Sequence, residues 1–468
     1  MRTSFAITGL LTLVSTVLAA GDGLIGNKVS KFGNHSTEVK DYVIVFQRNE
    51  TAQFLGVKHY LEQLELQDKT TEGEDVITME TNNTDIKVLG MRICDMHADY
   101  LRDNFPEICV VEEKVQAQSF VETKSNAPWG LQRISSDAGA SGNPQGQDFT
   151  YSFNNTQLGA GVDIYVLDTG VRTTHAVFTG RGSQGFTATG STVDGDGHGT
   201  HCAGTAGGAK FGVAQGANII AVKVLGDDGS GSSSDTIAGM DFVLKNHAAR
   251  KSQPGFVGSL MSMSWGLQGT ANSVDEVIQA ASEAGIHVSV AAGNDGVDAC
   301  TSTPAHLGGA NSNVVTVGSI NINNKVSTFS NIGKCVDIYA PGEQILSSWS
   351  TGDNIINFLS GTSMACPHNT GVMAVLMAED PAGLGQNPAA LKKKLLATAR
   401  TDKISGSLGG SANLLLSNGV NGSPAARLVK NYVVPERSGS PAARAAQNVK
   451  NGDMERWVVV SNDSPVRF

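Results

Sequence analysis

Apolar residues in the middle of the chain fall into short runs separated by segments of helical spacing. The runs are of the length expected for buried strands, and apolar residues recur between them at the period of an amphipathic helix. Strands are predicted at Val162–Leu167, Ile219–Leu225, Leu260–Trp265 and His287–Ala292, and helices at Asp235–Arg250 and Val274–Ala284. This alternation predicts an α/β fold with a mainly parallel central sheet and helices on both faces.

The region before this pattern predicts a smaller α/β unit over residues 41–115. Its predicted strands are Tyr42–Phe46, Ile86–Leu89 and Cys109–Val111, and its predicted helix is Ala52–Leu66. Residues 116–126 are polar and without period, which predicts an exposed, irregular linker between the two units.

Both ends of the chain differ from these units. Arg2, an apolar run from Phe5 to Leu18 and a small-residue end at Ala19-Ala20 predict a signal peptide over residues 1–20, with a membrane anchor as the alternative. Residues 422–468 are mildly basic and contain Ser-Pro-Ala-Ala-Arg twice, which favours a flexible or removable extension. The alternative is a final packed strand around Trp457–Val460.

Composition narrows the classes of function. The chain has 468 residues, of which 17% are charged, and a net charge of −10, so binding to nucleic acid by counterion release is not indicated. No run of 18 apolar residues follows the N-terminal segment, so a soluble mature protein is expected. Glycosylation sequons behind a signal peptide support a secretory route; they begin at Asn34, Asn49, Asn82, Asn154 and Asn421.

Three glycine-flanked motifs supply an Asp, a His and a Ser in that order. They are Asp168-Thr-Gly after a strand, Asp-Gly-His198-Gly-Thr-His before a helix, and Gly-Thr-Ser363-Met at a helix start. A serine hydroxyl needs an adjacent base to act as a nucleophile, and the base needs an orienting carboxylate. Asn294, in Ala-Ala-Gly-Asn, adds a side-chain donor for an oxyanion. The four together predict a serine endopeptidase.

Each motif alone has another interpretation. Asp168-Thr-Gly also occurs in aspartic proteases, which need a second such motif that the chain lacks. His198 and His201 could be a zinc pair, but no Glu stands between them and no third ligand motif is evident. Gly-Thr-Ser363 could simply begin a helix.

With these motifs the chain resembles the subtilases, and especially the fungal proteinase K group. The resemblance covers roughly residues 126–420 and includes Asn-Ala-Pro-Trp129-Gly-Leu at the expected mature start. It implies a subtilisin-like three-layer fold, a catalytic triad of Asp168, His198 and Ser363, and Asn294 in the oxyanion hole. It also implies a propeptide over residues 21–121, whose ferredoxin-like, inhibitor-type prodomain spans about 41–120, and a peptidase domain over residues 122–421.

The resemblance also implies where substrate binds. Peptide substrates would pair with Ser264-Trp265-Gly266 and with Gly229-Ser230-Gly231, and Ala291-Ala292-Gly293 would line the primary specificity pocket. Broad specificity with a preference for apolar side chains is expected. Trp265 stands where the family commonly has Leu, so the shape of the neighbouring pocket is open, with core packing as the alternative.

Cysteines and a metal follow from the same resemblance. Cys202 matches a free cysteine of the family, Cys300 and Cys335 match a disulfide, and Cys366 and Asn369-Thr370 depart from the usual residues after the nucleophile. A structural calcium ion is expected on Ser312, Val314 and Asp337, with a weaker second site near Asp137 and Asp402. No cofactor is expected for catalysis.

The complete prediction is a secreted or vacuolar serine endopeptidase, made as an autoprocessed zymogen. Its partners would be protein and peptide substrates and its own prodomain, which acts as an intramolecular inhibitor; neither nucleic acid nor a membrane is expected to bind the mature protein, which would be a monomer. The alternatives are a non-catalytic binding protein with the same fold, and an esterase. The Gly-x-Ser-x-Gly elbow of common esterases is absent around Ser363.

Overall fold

The structure is a computed structural model. It describes residues 39–46, 54, 57–59, 77–82, 87–106, 108–114, 121–422 and 458–465. The predicted signal peptide and most of the predicted helix Ala52–Leu66 lie outside the described residues, as do Asn34 and Asn49. The chain divides into two compact units, Met1–Gln118 and Ser119–Phe468.

The first unit contains an antiparallel sheet with the strand order β2-β3-β1-β4. Its elements are β1 (Val39–Phe46), β2 (Ile77–Asn82), β3 (Lys87–Cys94), α1 (Asp95–Asn104) and β4 (Ile108–Glu113). Ile44, Phe54, Leu89, Met91 and Leu101 form the centre of its core. The three strands predicted from the sequence are present.

The second unit is built on a nine-stranded sheet with the order β16-β17-β13-β12-β11-β10-β7-β9-β8, in which only the β16–β17 pair is antiparallel. The strands of this sheet are β7 (Val162–Asp168), β8 (Gly182–Thr187), β9 (Asn218–Lys223), β10 (Gly258–Met263), β11 (His287–Ala291), β12 (Val315–Ile320), β13 (Ile338–Pro341), β16 (Arg400–Thr401) and β17 (Leu414–Leu415). The helices of the unit are α2 (Trp129–Ser135), α3 (His198–Gly207), α4 (Ser233–Arg250), α5 (Asn272–Glu283), α6 (Thr362–Glu379), α7 (Pro381–Leu384) and α8 (Pro388–Thr398).

Helices cover both faces of this sheet, as predicted. Strand β7 shows why: Ile164 and Val166 contribute to the cluster beneath α3 and α6, whereas Tyr165 and Leu167 contribute to the cluster beneath α4 and α5. Alternate residues of a strand point to opposite faces, so a continuous apolar run is what a strand buried on both sides requires. The result is the expected three-layer α/β architecture.

The predicted irregular linker is wrong over its second half. Strand β5 (Glu122–Ala127) pairs antiparallel with β6 (Phe149–Phe153). Every residue of β6 is buried, whereas β5 is mostly exposed. The buried strand thus provides backbone partners for a polar segment that has no strand pattern of its own.

The C-terminal segment contains a strand. Strand β18 (Val458–Pro465) pairs in parallel with β15 (Ile355–Ser360), which pairs antiparallel with β14 (Ile345–Ser348). Of the two interpretations left open for this extension, the final strand is present; residues 423–457 lie outside the described part.

Within the described residues, no helix is both long and apolar enough to cross a membrane.

Candidate active site

The carboxylate of Asp168 lies at the end of β7, where the strand leaves the sheet. Its Oδ1 is 2.7 Å from Nδ1 of His198 and accepts the Thr169 N–H at 2.7 Å. Its Oδ2 is buried and has no hydrogen-bond partner among the described residues. A fully buried strand end therefore fixes one carboxylate oxygen on the imidazole.

His198 is the first residue of α3. The next residue, Gly199, must be glycine because a Cβ there would lie 2.1 Å from the carbonyl oxygen of Gly170. This close approach brings the helix start against the loop that follows β7. The local sequence thus determines that the imidazole reaches Asp168.

Asp194, which the sequence interpretation missed, holds the start of α3 in place. Its carboxylate accepts hydrogen bonds from Thr169 Oγ1, from the Gly197 N–H and from both the N–H and the hydroxyl of Thr200. Thr169 Oγ1 in turn accepts the Gly199 N–H at 3.0 Å. The signal was an acid two residues before the Asp-Gly-His motif, but a single Asp in a Gly-rich loop is not distinctive.

The imidazole of His198 is the titrating group of the site. Burial lowers the pKa of His198, but interactions with Asp168 first and with Cys202 second outweigh burial and hold this pKa well above its usual value. Cys202 Sγ lies 3.9 Å from both ring nitrogens. Burial raises the pKa of the Cys202 thiol to about 11, so it stays neutral beneath the ring.

His201, the possible zinc partner of His198, serves a different purpose. Its Nε2 lies 2.9 Å from the carbonyl oxygen of Ile345 and 3.1 Å from that of Asn357. Burial lowers the pKa of His201 to about 3, so the ring is neutral and its N–H donates to one or both of these carbonyls. The structure thus gives His201 a contact that links α3 to β14 and β15.

Ser363 is the second residue of α6, in the first turn, where backbone N–H groups have no acceptor within the helix. Its hydroxyl donates to the Ser264 carbonyl oxygen at 3.0 Å. Pro367, four residues later, has no N–H to give to the Ser363 carbonyl. That carbonyl instead accepts from Ser264 Oγ at 3.0 Å and from Cys202 Sγ at 3.4 Å.

Asn294 follows β11 and faces the start of α6. Its Oδ1 accepts both the Thr362 N–H, at 2.8 Å, and the Thr362 hydroxyl, at 2.9 Å. These two bonds fix the amide orientation and leave Nδ2 pointing away from them. Nδ2 is buried and has no acceptor among the described residues. The site thus contains a fixed N–H donor without a partner among the described residues, on a side chain that is bonded to Thr362, the residue before Ser363.

The predicted substrate-binding segments lie on neighbouring parts of the same sheet edge. Ser264 follows β10, and Ala291 ends β11, its parallel neighbour. Gly293 has φ +102°, and a Cβ there would lie 2.3 Å from Asn331 Nδ2. The Gly293 N–H donates to Thr362 Oγ1 at 3.1 Å, which connects the segment Ala291–Gly293 to the helix that carries Ser363. The Gly229-Ser230-Gly231 segment lies in a loop after β9 that is closed by a bond from the Gly226 N–H to the Ser230 carbonyl at 2.7 Å.

The side chain of Trp265 packs in the core. It is 4% exposed, belongs to the apolar cluster between the sheet and helices α4 and α5, and donates its indole N–H to the Leu167 carbonyl oxygen at 2.9 Å. The core interpretation therefore holds for this ring, which leaves the Trp265 backbone as the part that a substrate could contact.

The unusual residues on α6 contact the strands beneath it. Cys366 Sγ lies 3.5 Å from Ser289 Oγ, and Asn369 Nδ2 donates to the same hydroxyl at 2.9 Å. Thr370 Oγ1 lies 3.0 Å from Ser262 Oγ. These side chains make polar contacts between α6 and strands β10 and β11.

The predicted disulfide between Cys300 and Cys335 is present, with 5.3 Å between the Cα atoms. Cys94, Cys109, Cys202 and Cys366 are free thiols. Two of the sequon residues, Asn154 and Asn421, are exposed; Asn82 lies in β2.

The predicted calcium site does not fit a metal ion. The carbonyls of Ser312 and Val314 and the carboxylate of Asp337 do converge, but on the ammonium group of Lys392. Nζ of Lys392 lies 3.0 and 2.7 Å from the two carbonyl oxygens and 2.9 Å from Asp337 Oδ1. A calcium ion would need the same position, so a protein cation stands where the sequence interpretation put a metal.

Comparisons with known proteins agree with this architecture. The model of the "Subtilase family" matches residues 159–422. The chain is 37% identical over 376 residues to the subtilisin-like serine protease Cur l 4.0101 of Cochliobolus lunatus, with 76% of this chain and 71% of that protein covered. It is 38% identical over 322 residues to a cuticle-degrading serine protease of Arthrobotrys oligospora, with 68% and 74% covered.

A solved structure is similar as well. The crystal structure of a cold adapted subtilisin-like serine proteinase matches with a TM-score of 0.55 and 38% identity, covering 63% of this chain and 99% of that one. The matched family region contains the strand ends and helix starts that carry Asp168, His198, Asn294 and Ser363. The chain belongs to the subtilase family and is a serine-type endopeptidase.

Proposed function

We propose that Ser363 attacks the carbonyl carbon of a peptide bond while His198, oriented by Asp168, takes its proton. The observation that carries this proposal is Asn294. Its amide oxygen is held by Thr362, and its Nδ2 is a buried donor with no acceptor among the described residues. A buried donor without a partner is costly, and an oxyanion formed at Ser363 would supply the missing acceptor.

The reaction would proceed in two stages. In the first, the Ser363 hydroxyl gives up its hydrogen bond to the Ser264 carbonyl oxygen and transfers its proton to His198 Nε2. Ser363 Oγ then bonds to the carbonyl carbon of the substrate, which gives a tetrahedral intermediate. His198 then protonates the leaving amine, and an acyl-enzyme remains on Ser363. In the second, His198 deprotonates a water molecule that attacks the acyl carbon, and it then returns the proton to Ser363 Oγ as the bond from this oxygen to the acyl carbon breaks and the acid leaves. Asp168 stays ionised and stabilises the imidazolium in both stages.

The oxyanion would receive two hydrogen bonds. One comes from Asn294 Nδ2, and the other comes from the Ser363 N–H in the first turn of α6. Donors fixed before the reaction favour the charged intermediate because they need no reorganisation when the charge develops. The positive end of the α6 dipole acts in the same direction.

Peptide substrates would bind along the sheet edge. The backbone of Ser264-Trp265-Gly266 and of Gly229-Ser230-Gly231 would pair with an extended substrate, and Ala291-Ala292-Gly293 would form the wall of the primary pocket. Small side chains on this wall leave room for large apolar residues, which supports broad, apolar-leaning specificity.

The first unit would act as a prodomain. It is a compact unit with its own core, which is what an independently folding inhibitor and folding aid requires. Cleavage near residues 120–123 would release it with Cys94 and Cys109. The predicted signal peptide and the exposed sequon residues Asn154 and Asn421 support synthesis on the secretory route, with secretion or delivery to a vacuole as the destination.

Ser363→Ala tests the proposal. Wild-type enzyme is expected to hydrolyse casein and to react with a fluorophosphonate, and Ser363→Ala should do neither. Because the same serine would cut the propeptide, Ser363→Ala should also accumulate at full precursor length. The matched control is Ser360→Ala, three residues away on β15, which should be processed and active. An unlabelled and inactive wild type would overturn the endopeptidase mechanism, and a fully active Ser363→Ala would overturn the role of this residue.

A further inference from the structure

Lys392 lies in the middle of α8, within a run of three lysines, and is the one that points inward. It is 8% exposed, whereas Lys393 and Lys394 are exposed. Lys side chains are almost never this buried unless their charge is paired. The ammonium group of Lys392 is therefore expected to be paired within the fold.

Four oxygen atoms surround Lys392 Nζ. The carbonyl oxygens of Gly309, Ser312 and Val314 lie at 2.7, 3.0 and 2.7 Å, and Asp337 Oδ1 lies at 2.9 Å. An ammonium group has three N–H donors, so all of them are used and the positive charge faces a single carboxylate. The arrangement is an oxygen cage around one cation.

This cage is the kind that binds a hard metal ion. Calcium takes carbonyl and carboxylate oxygens at about 2.3–2.6 Å. The oxygens around Lys392 Nζ lie only a few tenths of an ångström farther out, at the spacing of N–H···O hydrogen bonds. Hydrogen bonds inside the loop over residues 307–314 also fix its shape. Ser312 Oγ donates to the Leu307 carbonyl oxygen at 2.7 Å and accepts the Val314 N–H at 3.1 Å.

We infer that Lys392 is a built-in replacement for a structural cation, so that this region of the enzyme is held together without calcium. The lysine ties α8 to the loop that leads into β12, and β12 pairs with β11, whose end forms the Ala291–Gly293 wall. A covalently attached cation cannot dissociate, so the contact does not depend on the calcium concentration around the enzyme.

At the second expected calcium position, the carboxylate of Asp137 also faces cationic side chains. Asp137 Oδ1 lies 3.2 Å from Lys403 Nζ and 3.6 Å from Arg400 Nε. Two cationic side chains therefore face the carboxylate that a metal would need.

The test is to remove the ammonium group of Lys392 from the oxygen cage. In mature enzyme blocked by a covalent serine-protease inhibitor, the unfolding midpoint is measured in EDTA and in excess calcium for wild type, Lys392→Ala, Lys392→Met and the control Lys393→Ala. Lys392→Ala leaves both the oxygen cage and space for an ion, whereas Lys392→Met fills the space with an uncharged stem. Wild type, Lys392→Met and Lys393→Ala should show the same small calcium response. Lys392→Ala should gain at least about 5 °C more from calcium at about 100 times its dissociation constant.

A Lys392→Ala enzyme whose calcium response equals that of wild type would overturn the inference, because the cage would then not be a cation site. If Lys392→Ala does not accumulate, crystals of the wild-type enzyme soaked in calcium decide the question. Anomalous density within coordinating distance of the Gly309, Ser312 and Val314 carbonyls would contradict the inference, and lysine density alone there supports it.

Discussion

Two buried polar clusters in the peptidase unit differ in whether all their polar atoms have hydrogen-bond partners. Around Lys392, every donor of the ammonium group faces an oxygen atom. Around Ser363, by contrast, Asp168 Oδ2 and Asn294 Nδ2 are buried with no partner among the described residues. A satisfied cluster contributes to stability and specifies one structure, whereas a buried polar atom without a partner carries a cost. Arg133 Nε and Asn369 Oδ1 are also buried without a partner among the described residues, so what distinguishes Asn294 Nδ2 is its place beside the start of the helix that carries Ser363.

The largest effect is expected when the base loses its orienting carboxylate. Asp168→Asn should lower kcat by about 10⁴-fold, the scale found for this change in serine proteases, with little effect on stability. Steady-state kinetics on a peptide substrate measures it. A loss of less than tenfold would contradict the role of Asp168.

The pH profile sharpens the same prediction. The reaction needs neutral His198, so kcat/KM should rise with pH as His198 loses its proton. Asp168 holds the pKa of His198 well above its usual value, which places this rise on the alkaline side of free imidazole. Asp168→Asn removes that effect, so the rise should move to lower pH. A profile that stays in place would show that Asp168 does not control the ionisation.

Removing the unpaired donor is the next largest change. Asn294→Ala should lower kcat by about 10²–10³-fold with KM nearly unchanged, because the bond forms only with the oxyanion; this magnitude is the one measured in the related enzyme subtilisin. Asn294→Asp keeps the acceptor for Thr362 but removes the donor, so it should lose at least as much activity. An active Asn294→Asp would mean that the donor is not used.

The disulfide between Cys300 and Cys335 is a contact that is expected to stabilise the fold without taking part in the reaction. Replacing both Cys300 and Cys335 with Ser should lower the free energy of unfolding by about 2–4 kcal/mol and leave kcat unchanged. Denaturant unfolding of the inhibited enzyme provides the measurement. A large fall in kcat at unchanged stability would place this loop with the reacting groups instead.

The smallest expected effect concerns Trp265. Trp265→Phe removes the indole N–H and leaves the Leu167 carbonyl without that donor, so it should cost about 1–3 kcal/mol of stability. Because the ring is in the core, the preference for the substrate residue before the cleaved bond should not change. A library of peptide substrates would show a changed preference if the ring contacted substrate after all.

Residues whose side chains carry the chemistry and strands buried on both faces could be predicted from the sequence. Asp168, His198 and Ser363 were recognisable because side chains carry the chemistry and their glycine neighbours are required by close backbone contacts such as Gly199 with Gly170. The strands were predictable because the sheet is buried on both faces, so their residues form continuous apolar runs.

Ser312, Val314 and Asp337 were expected to converge only through the family resemblance, and the lysine that stands between them could not be predicted. Carbonyl oxygens belong to every residue and leave no signal, and a lysine in a run of three is typical of a solvated helix face. Strand β5 was missed for a related reason: its residues are polar, and its pairing comes from the buried neighbour β6. Asp194 was missed because its role is to accept hydrogen bonds from backbone N–H groups, which leave no signal in the sequence.

The most direct test of the account is to find which atom reacts. Mature wild-type enzyme would be labelled with a fluorophosphonate, digested, and its peptides identified by mass spectrometry, with Asn294→Ala and Ser363→Ala treated in parallel. The account predicts one adduct, on Ser363, formed more slowly in Asn294→Ala and absent in Ser363→Ala. An adduct on another residue, or label retained by Ser363→Ala, would contradict it.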